Sequence, residues 1–195
     1  MNLPGRLLTA MVTPFDEKGD VDYAQARTLA RALIDSGSDG VVVVGTTGES
    51  PTTRREEEDR LWAEIKEEIG GRGWSNSTVE AVEATRAAEK IGVDGVLLVV
   101  PYYNKPSQEG LYQHFQTIAA STCLPCILYN VPARTATDMS TETVIRLSRI
   151  DNIIGLKEAN GKLDHIVRVI SRTKKDFLVY SGNDSDTLPI LAIGG

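Results

Sequence analysis

Short apolar runs alternate with longer amphipathic stretches along the chain. The runs Val41–Val44, Val96–Val100 and Cys126–Tyr129 are apolar throughout, which is typical of strands that are buried on both faces. The stretch Asp22–Ser36 has apolar residues at helical spacing, and Gly37 follows it as a helix-ending glycine. Because strands that alternate with helices form parallel βαβ units, the pattern predicts an α/β fold.

The predicted elements follow one another in the order strand, loop, helix. The predicted strands are Leu7–Val12, Val41–Val44, Val96–Val100, Cys126–Tyr129, Asn152–Lys157 and Phe177–Tyr180. The predicted helices are Asp22–Ser36, Arg54–Ile69, Ser77–Lys90, Ser107–Ala120, Ser140–Ser148 and Leu163–Arg172. Between Ile69 and Ser77 the chain has a glycine-rich link, and no strand is predicted there.

Two α/β architectures fit this order, the open doubly wound sheet and the (β/α)8 barrel. An open nucleotide-binding sheet has a glycine-rich turn after its first strand, whereas this chain has Thr13-Pro14-Phe15 there. Polar loops follow the carboxyl ends of several strands, which is the arrangement of a barrel with its site at one face. We therefore predict a single (β/α) barrel domain over residues 1–195, incomplete because its third strand and C-terminal part are missing. The chain stops in the helix after the seventh strand position.

The composition is that of an ordinary folded, acidic protein. Of its 195 residues 41% are hydrophobic and 25% are charged, and the net charge is -6. Lysine and arginine form no cluster, so we expect no binding to nucleic acid. No apolar run approaches the roughly 20 residues that cross a membrane, and the first residues lack the layout of a signal peptide. We therefore expect a cytoplasmic protein without a membrane association.

The cysteines and histidines are weak candidates for chemistry. Cys123 and Cys126 have the spacing of a redox motif, but Cys126 begins an apolar run instead of a helix. We therefore interpret both cysteines as small buried residues. His114 and His165 each lie in a polar helical stretch without a second ligand nearby, so we expect no metal site.

A lysine ends the apolar run that begins after Asn152. Burial of an ammonium group is unfavourable, so Lys157 either reaches solvent at the tip of the strand or lies in a pocket that lowers its pKa. A lysine of the second kind attacks a carbonyl group and forms a Schiff base. The run by itself leaves both interpretations open.

Other polar residues follow the ends of strands. Thr46 and Thr47 offer hydroxyl groups in a glycine-containing turn that suits a carboxylate. Tyr129 is either a core residue or a group for proton transfer, and Arg134 is either solvated or a fork for a carboxylate. Together with Lys157, these residues provide what Schiff-base chemistry on a keto acid needs, and that chemistry requires no metal.

Four motifs carry a resemblance to a known family. They are VGTTGES at 44–50, PYYNKPSQEGL at 101–111, LYNVPART at 128–135 and IGLKEA at 154–159. With these motifs in this order, the chain resembles the dihydrodipicolinate synthase family of the N-acetylneuraminate lyase superfamily. The resemblance covers nearly all of the chain except the surroundings of Gly70–Trp74.

The resemblance implies a set of catalytic residues. Lys157 would form the Schiff base with pyruvate. Tyr129, Thr46 and Tyr103 match the proton relay of the family, with Tyr103 supplied by the neighbouring subunit. The implied reaction condenses pyruvate with aspartate semialdehyde on the route through diaminopimelate to lysine, and it uses no cofactor beyond the lysine itself.

The resemblance also implies how the substrates are held. Thr46 and Thr47 match the site for the pyruvate carboxylate, and Arg134 matches the position that receives the carboxylate of aspartate semialdehyde. Gly182 matches a residue that lines the pocket. Arg134, Asn130 and the two threonines favour the synthase over the sialic acid lyases and the sugar-acid aldolases.

Regulation and assembly follow from the same resemblance. It implies a homotetramer built as a dimer of dimers. The residues that match the family's lysine-feedback site are Ser50, Asn76, Glu80 and Tyr102, with Arg55 and Glu58 nearby. Two alternatives stay open at the level of sequence: another pyruvate-type aldolase of the superfamily, acting on a 2-keto-3-deoxy sugar acid or a sialic acid, and a non-catalytic fragment.

Overall fold

The computed structural model describes residues 4–69, the backbone of 73–77, residues 81–102 and residues 104–195, with the side chains of residues 81 and 84 excepted. The strands in these ranges are β1 Leu8–Ala10, β2 Gly40–Val43, β3 Gly73–Ser77, β4 Gly95–Val99, β5 Cys126–Asn130, β6 Ile153–Glu158 and β7 Leu178–Ser181. The α-helices are α1 Tyr23–Asp35, α2 Arg55–Ile69, α3 Ala81–Ile91, α4 Gln108–Ala119, α5 Pro132–Thr135, α6 Thr141–Leu147, α7 Leu163–Arg172 and α8 Thr187–Ala192. Short 3-10 helices cover Ser50–Thr52 and Asp184–Asp186.

The apolar runs become buried strands, as the sequence predicts. Every residue of β2, β4 and β5 is buried. Parallel strands with both faces covered need such continuous apolar sequences, because neither face meets water. The strand and helix alternation therefore confirms the α/β class.

The prediction that the third strand is missing is wrong. Strand β3 pairs in parallel with β2, with Val41 opposite Gly73 and Val43 opposite Ser75. The pairing of strands uses backbone N–H and C=O groups, so a strand without a continuous apolar sequence forms where the neighbouring backbone is available. The predicted helix start at Ser77 is also wrong, because α3 begins at Ala81.

The chain divides into two compact units. The first comprises Met1–Asn76 with Glu83–Val96. In this unit β1 pairs in parallel with β2, and α1 packs on α2. Asp22 caps α1 by accepting a hydrogen bond from the Gln25 N–H at 2.9 Å. The ion pair between Arg31 and Glu68, at 2.5 Å, links the two helices at their surface.

The second unit comprises Ser77–Val82 with Leu97–Gly195. Strands β5, β6 and β7 pair in parallel, and α6 packs against both α4 and α7. Ser107 and Ser140 cap α4 and α6 through their side-chain oxygens. The carboxyl ends of β5 and β6, which carry the predicted tyrosine and lysine, therefore lie on a buried parallel framework.

Candidate active site

The predicted nucleophile and the predicted proton carrier lie side by side. Tyr129 on β5 and Lys157 on β6 are opposite each other in the parallel register. The Lys157 Nζ lies 4.5 Å from the centroid of the Tyr129 ring. Tyr180 on β7 is opposite Lys157 on its other side. Lys157 thus projects from the middle one of three paired strands, with an aromatic face beside its amine.

Burial shifts the pKa values of this pair in opposite directions. It lowers the pKa of the Lys157 ammonium below its usual value, and the carboxylate of Asp184 acts in the opposite direction. Burial also raises the pKa of the Tyr129 hydroxyl, which Arg134 partly offsets. The site therefore favours a neutral, nucleophilic lysine beside a tyrosine that keeps its proton.

Arg134 lies close enough to act on Tyr129 electrostatically, yet it remains exposed. It belongs to α5, a helix of one turn that begins at Pro132 directly after β5. An exposed guanidinium beside a half-buried lysine and a buried tyrosine is available to an anionic ligand that enters from solvent. This placement agrees with the predicted carboxylate contact without testing it.

Gly182 has a structural reason to be glycine. Its N–H donates a 2.7 Å hydrogen bond to the Glu158 carbonyl oxygen. A Cβ at this position would lie 2.8 Å from the Ala159 Cβ. The ends of β6 and β7 approach too closely here for any side chain, so close packing accounts for the residue whether or not it also lines a pocket.

Thr46 and Thr47 lie in the first unit, in the turn after β2, and both are exposed. The turn is entered through the buried Val44, whose φ is 54°. A positive φ is a genuine outlier for a β-branched residue, and such strain persists only where the surroundings impose it. The Thr13 hydroxyl holds the far side of the turn by donating a 2.6 Å hydrogen bond to the Gly48 carbonyl oxygen.

A buried polar network, which the sequence does not predict, lies behind the strand ends. Asn130 and Glu158, the residues after Tyr129 and Lys157, are both buried, and the Asn130 Nδ2 lies 2.9 Å from the Glu158 Oε1. The Nε2 of His165 lies 3.1 Å from the Glu158 Oε2, although it is not aligned for a hydrogen bond. Residues 130, 158 and 165 belong to three separate elements, so no sequence spacing signals the network.

The residues predicted for lysine feedback are only partly described. The Ser50 hydroxyl donates a 3.0 Å hydrogen bond to the Glu58 carboxylate, and burial raises the pKa of that carboxyl against the effect of its hydrogen bonds. Tyr102 is exposed. Glu80 and the predicted relay residue Tyr103 lie outside the described residues, as does the side chain of Asn76.

Two minor predictions need correction. Cys126 is buried as expected, but Cys123 is exposed, because it lies in the turn before β5 and not in the strand. His165 lies in helix α7 as predicted, but it is buried there, and its Nδ1 lies 3.0 Å from the Thr141 Oγ1.

Over the described ranges, no group of three or more His, Cys, Asp or Glu side chains is placed to hold a metal ion. Among the helices described, none has both the length and the apolar character to span a membrane.

Comparison with known proteins gives concordant matches. Residues 3–195 match the Dihydrodipicolinate synthetase family. A 4-hydroxy-tetrahydrodipicolinate synthase of Dehalococcoides mccartyi is 66% identical over 97% of this chain and 66% of its own length. The chain thus spans about 66% of the length of the first curated relatives it matches.

Solved structures give the same result. The dihydrodipicolinate synthase of Bacillus anthracis has a TM-score of 0.97 at 46% identity, with 100% of this chain and 69% of that chain covered. The enzyme from Cyanidioschyzon merolae, crystallised with lysine bound, has a TM-score of 0.96 at 46% identity, with 98% and 68% covered. The α/β fold of this chain therefore matches that of dihydrodipicolinate synthases.

Proposed function

Because the chain belongs to the dihydrodipicolinate synthetase family, we propose that it condenses pyruvate with aspartate 4-semialdehyde to give 4-hydroxy-tetrahydrodipicolinate. This reaction would serve lysine biosynthesis through diaminopimelate. The observation that carries the proposal is the half-buried Lys157 amine, with its lowered pKa, 4.5 Å from the centre of the Tyr129 ring. A neutral amine is the form that attacks a ketone.

The proposed chemistry begins with attack of the Lys157 nitrogen on the pyruvate C2. The new N–C bond forms as the carbonyl oxygen takes up a proton, and loss of water from this carbinolamine gives the iminium ion. Loss of a proton from the C3 methyl group gives the enamine, whose C3 then bonds to the aldehyde carbon of the second substrate, while the aldehyde oxygen takes up a proton and the iminium ion is restored. The amino group of the second substrate then attacks this iminium carbon and loses a proton, and the bond from that carbon to the Lys157 nitrogen breaks, which closes the ring and releases the lysine. Tyr129, Thr46 and Tyr103 of a neighbouring subunit would carry the protons. Lys157 supplies the covalent activation itself, so the reaction would need no separate cofactor.

Substrate recognition in this proposal rests on the carboxylates. Thr46 and Thr47 would hold the carboxylate of pyruvate with hydroxyl groups and backbone N–H groups. Arg134, exposed beside Tyr129, would bind the carboxylate of aspartate semialdehyde as a fork. Gly182 would line the pocket through its backbone.

The proposal extends to the fold and the assembly. The parallel strands support a single (β/α)8-type barrel domain, of which this chain provides seven described strands. Leu163 and Val167, one turn apart on α7, are 42% and 44% exposed, which supports burial in an oligomer such as a homotetramer built as a dimer of dimers. The net charge of -6 argues against nucleic acid as a partner, and we propose a cytoplasmic location.

Lysine feedback is part of the proposal. Ser50, Asn76, Glu80 and Tyr102 would bind lysine, with Arg55 and Glu58 nearby. The support is that the related structure from Cyanidioschyzon merolae holds lysine, and that Glu58 is a half-buried carboxylate that a lysine ammonium would pair with.

Reductive trapping tests the proposed function. Incubation of the chain with pyruvate and borohydride should give one covalent adduct, which peptide mass spectrometry places on Lys157. Lys157→Met should abolish the adduct, whereas Lys174→Met, which removes an exposed lysine, should not change it. Absence of an adduct on the unaltered chain would refute the proposal. Arg134→Ala should weaken the use of aspartate semialdehyde as the second substrate. If the variant uses its preferred aldehyde as well as the unaltered chain does, the chain is another pyruvate-type aldolase of the superfamily.

A further inference from the structure

We propose that Asn130 and Glu158 form a clamp between β5 and β6 that positions Tyr129 and Lys157 for imine formation. The inference rests on the proposed function, since it assigns positioning residues to that chemistry. It concerns the second unit alone. Asn130 and Glu158 contact neither pyruvate nor the reacting atoms in this assignment.

The strand register places the clamp directly behind the reacting pair. Tyr129 is opposite Lys157, and Asn130 is opposite Glu158, in the parallel pairing of β5 with β6. Successive side chains of a strand point to opposite faces of the sheet. The reacting pair therefore occupies one face of the strand ends, and the clamp occupies the other face one residue later.

Both side-chain N–H donors of Asn130 are used within the protein. It is fully buried, and its Nδ2 donates to the Asp138 Oδ1 at 2.8 Å and to the Glu158 Oε1 at 2.9 Å. Its Oδ1 accepts a 3.0 Å hydrogen bond from the Met139 N–H. An asparagine amide has two N–H donors, and both are in use. The amide thus holds neighbouring backbone in place and is not available to a substrate.

Glu158 ties the end of β6 to its surroundings. Its Oε1 accepts hydrogen bonds from the N–H groups of Ala159 and Asn160, each at 2.9 Å, in addition to the bond from Asn130. Its backbone oxygen accepts the 2.7 Å hydrogen bond from Gly182. A buried carboxylate is costly unless several donors compensate it, and here the donors are the Asn130 amide on β5 and the two backbone N–H groups directly after β6.

The clamp determines how far Lys157 can move relative to Tyr129. Lys157 is the residue directly before Glu158, so a shift of the Glu158 backbone moves the root of the Lys157 side chain. Imine formation requires the amine and the proton carrier in a fixed relation, and a misplacement of about 1 Å can reduce a rate about 100-fold. Loss of the clamp should therefore slow imine formation more than it weakens pyruvate binding.

The matched experiment compares two asparagines at opposite ends of the same strands. Asn152 precedes β6, and its Nδ2 donates to the backbone oxygens of Ala119 at 2.9 Å and Thr122 at 3.1 Å. Asn130→Ala and Asn152→Ala each remove a side-chain amide that holds backbone, but only the first lies beside Lys157. The rate of pyruvate trapping at saturation, the pyruvate concentration for half-saturation and the thermal midpoint are measured for both variants.

We expect Asn130→Ala to lower the rate of pyruvate trapping at saturation by about 10-fold or more. The pyruvate concentration for half-saturation should change by a smaller factor. Asn152→Ala should lower the thermal midpoint but keep the trapping rate within about 2-fold, because the site's geometry is unchanged. If the rates of both variants fall in proportion to their thermal midpoints, or if Asn130→Ala leaves the rate unchanged, the positioning role is refuted. Should Asn130→Ala fail to fold, Glu158→Gln replaces it in the same comparison, because it keeps the side-chain shape and one acceptor oxygen.

A second amine reaction separates this inference from the proposed function. Reductive methylation of Lys157 by formaldehyde and cyanoborohydride, followed on its peptide as a function of pH, needs no pyruvate. Asn130→Ala should move the midpoint of this reaction to higher pH, because a released lysine regains solvent and its pKa rises. Asn152→Ala should not move it. If the unaltered chain forms no pyruvate adduct but Asn130→Ala still shifts the methylation midpoint, the clamp is supported and the proposed function is refuted. Equal midpoints in the unaltered chain, Asn130→Ala and Asn152→Ala refute the clamp.

Discussion

A methyl group added at Gly155 should push β6 away from β7. Gly155 is opposite Leu178 in the parallel pairing. A Cβ at position 155 would lie 2.7 Å from the Leu178 carbonyl oxygen and 3.0 Å from its Cβ. The closer of these atoms belongs to backbone in a buried sheet, so it cannot turn away as the tip of a flexible side chain would.

The size of the effect follows from the contact. Ordinary van der Waals contact begins at 3.4 Å, so a closest approach of 2.7 Å requires a displacement of about 0.7 Å, the difference between the two. Overpacking of this type costs about 1–3 kcal/mol. For a chain of this size each kcal/mol lowers the thermal midpoint by roughly 2–4 °C, so Gly155→Ala should lower it by about 2–12 °C. The same shift, two residues before Lys157 on the same face, should slow pyruvate trapping by about 10-fold.

Calorimetry and borohydride trapping measure both effects. Gly161→Ala is the matched control, since Gly161 has a φ of +70° and nothing within 4 Å of an added Cβ. It should cost about 1 kcal/mol through backbone strain, without any effect on Lys157. A Gly155→Ala protein with an unchanged thermal midpoint would refute the packing argument, and one with a lower midpoint but an unchanged trapping rate would refute its link to the lysine.

Three further substitutions test other parts of the structure. Tyr129→Ala should raise the pH midpoint of pyruvate trapping. Burial lowers the pKa of Lys157, and loss of the ring exposes the amine to water. A midpoint that falls would show that the ring instead stabilises the ammonium form. Thr13→Val should lower the free energy of unfolding, measured by urea titration, by about 1–3 kcal/mol, because it removes the hydroxyl that bonds to the buried Gly48 carbonyl. It should also raise the pyruvate concentration for half-saturation. An unchanged urea midpoint would contradict the importance of that hydrogen bond. Burial raises the pKa of Glu58, so its ionisation opposes folding as pH rises past the ordinary glutamate value. Glu58→Gln should therefore raise the thermal midpoint at pH 7 but not at pH 3, and equal gains at both would exclude a charge effect.

The apolar runs predicted most of the framework. Strands β2, β4 and β5 lie within a residue or two of their predicted bounds, because continuous apolar sequence and complete burial have the same cause. The predicted helix Leu163–Arg172 coincides with α7. Strand β3 escaped prediction because its sequence, Gly-Trp-Ser-Asn-Ser, gives no continuous apolar signal, and the strand is recognised only from its backbone pairing in the sheet.

The candidate site was also predictable only in part. The lysine that ends an apolar run, and the tyrosine that ends another, were predicted to meet, and the parallel register brings them together. Asn130, Glu158 and His165 could not be connected from sequence, because their contacts arise only when β5, β6 and α7 pack. The strain at Val44 was likewise beyond prediction, since a valine that ends an apolar run is ordinarily an extended strand residue.

The alternation of Lys157 and Glu158 restricts which changes in chain length this protein can accept. The side-chain period of a strand is two, so insertion or deletion of one residue within β6 would turn the carboxylate to the side of Tyr129 and the amine into the hydrogen-bonded interior. A one-residue insertion or deletion would therefore displace the Lys157 amine and the Glu158 carboxylate together, and a substitution at one of these positions would not restore the other. Insertions that persist among descendants of this chain should therefore fall in turns such as the one between α7 and β7, while the number of residues in β6 stays fixed.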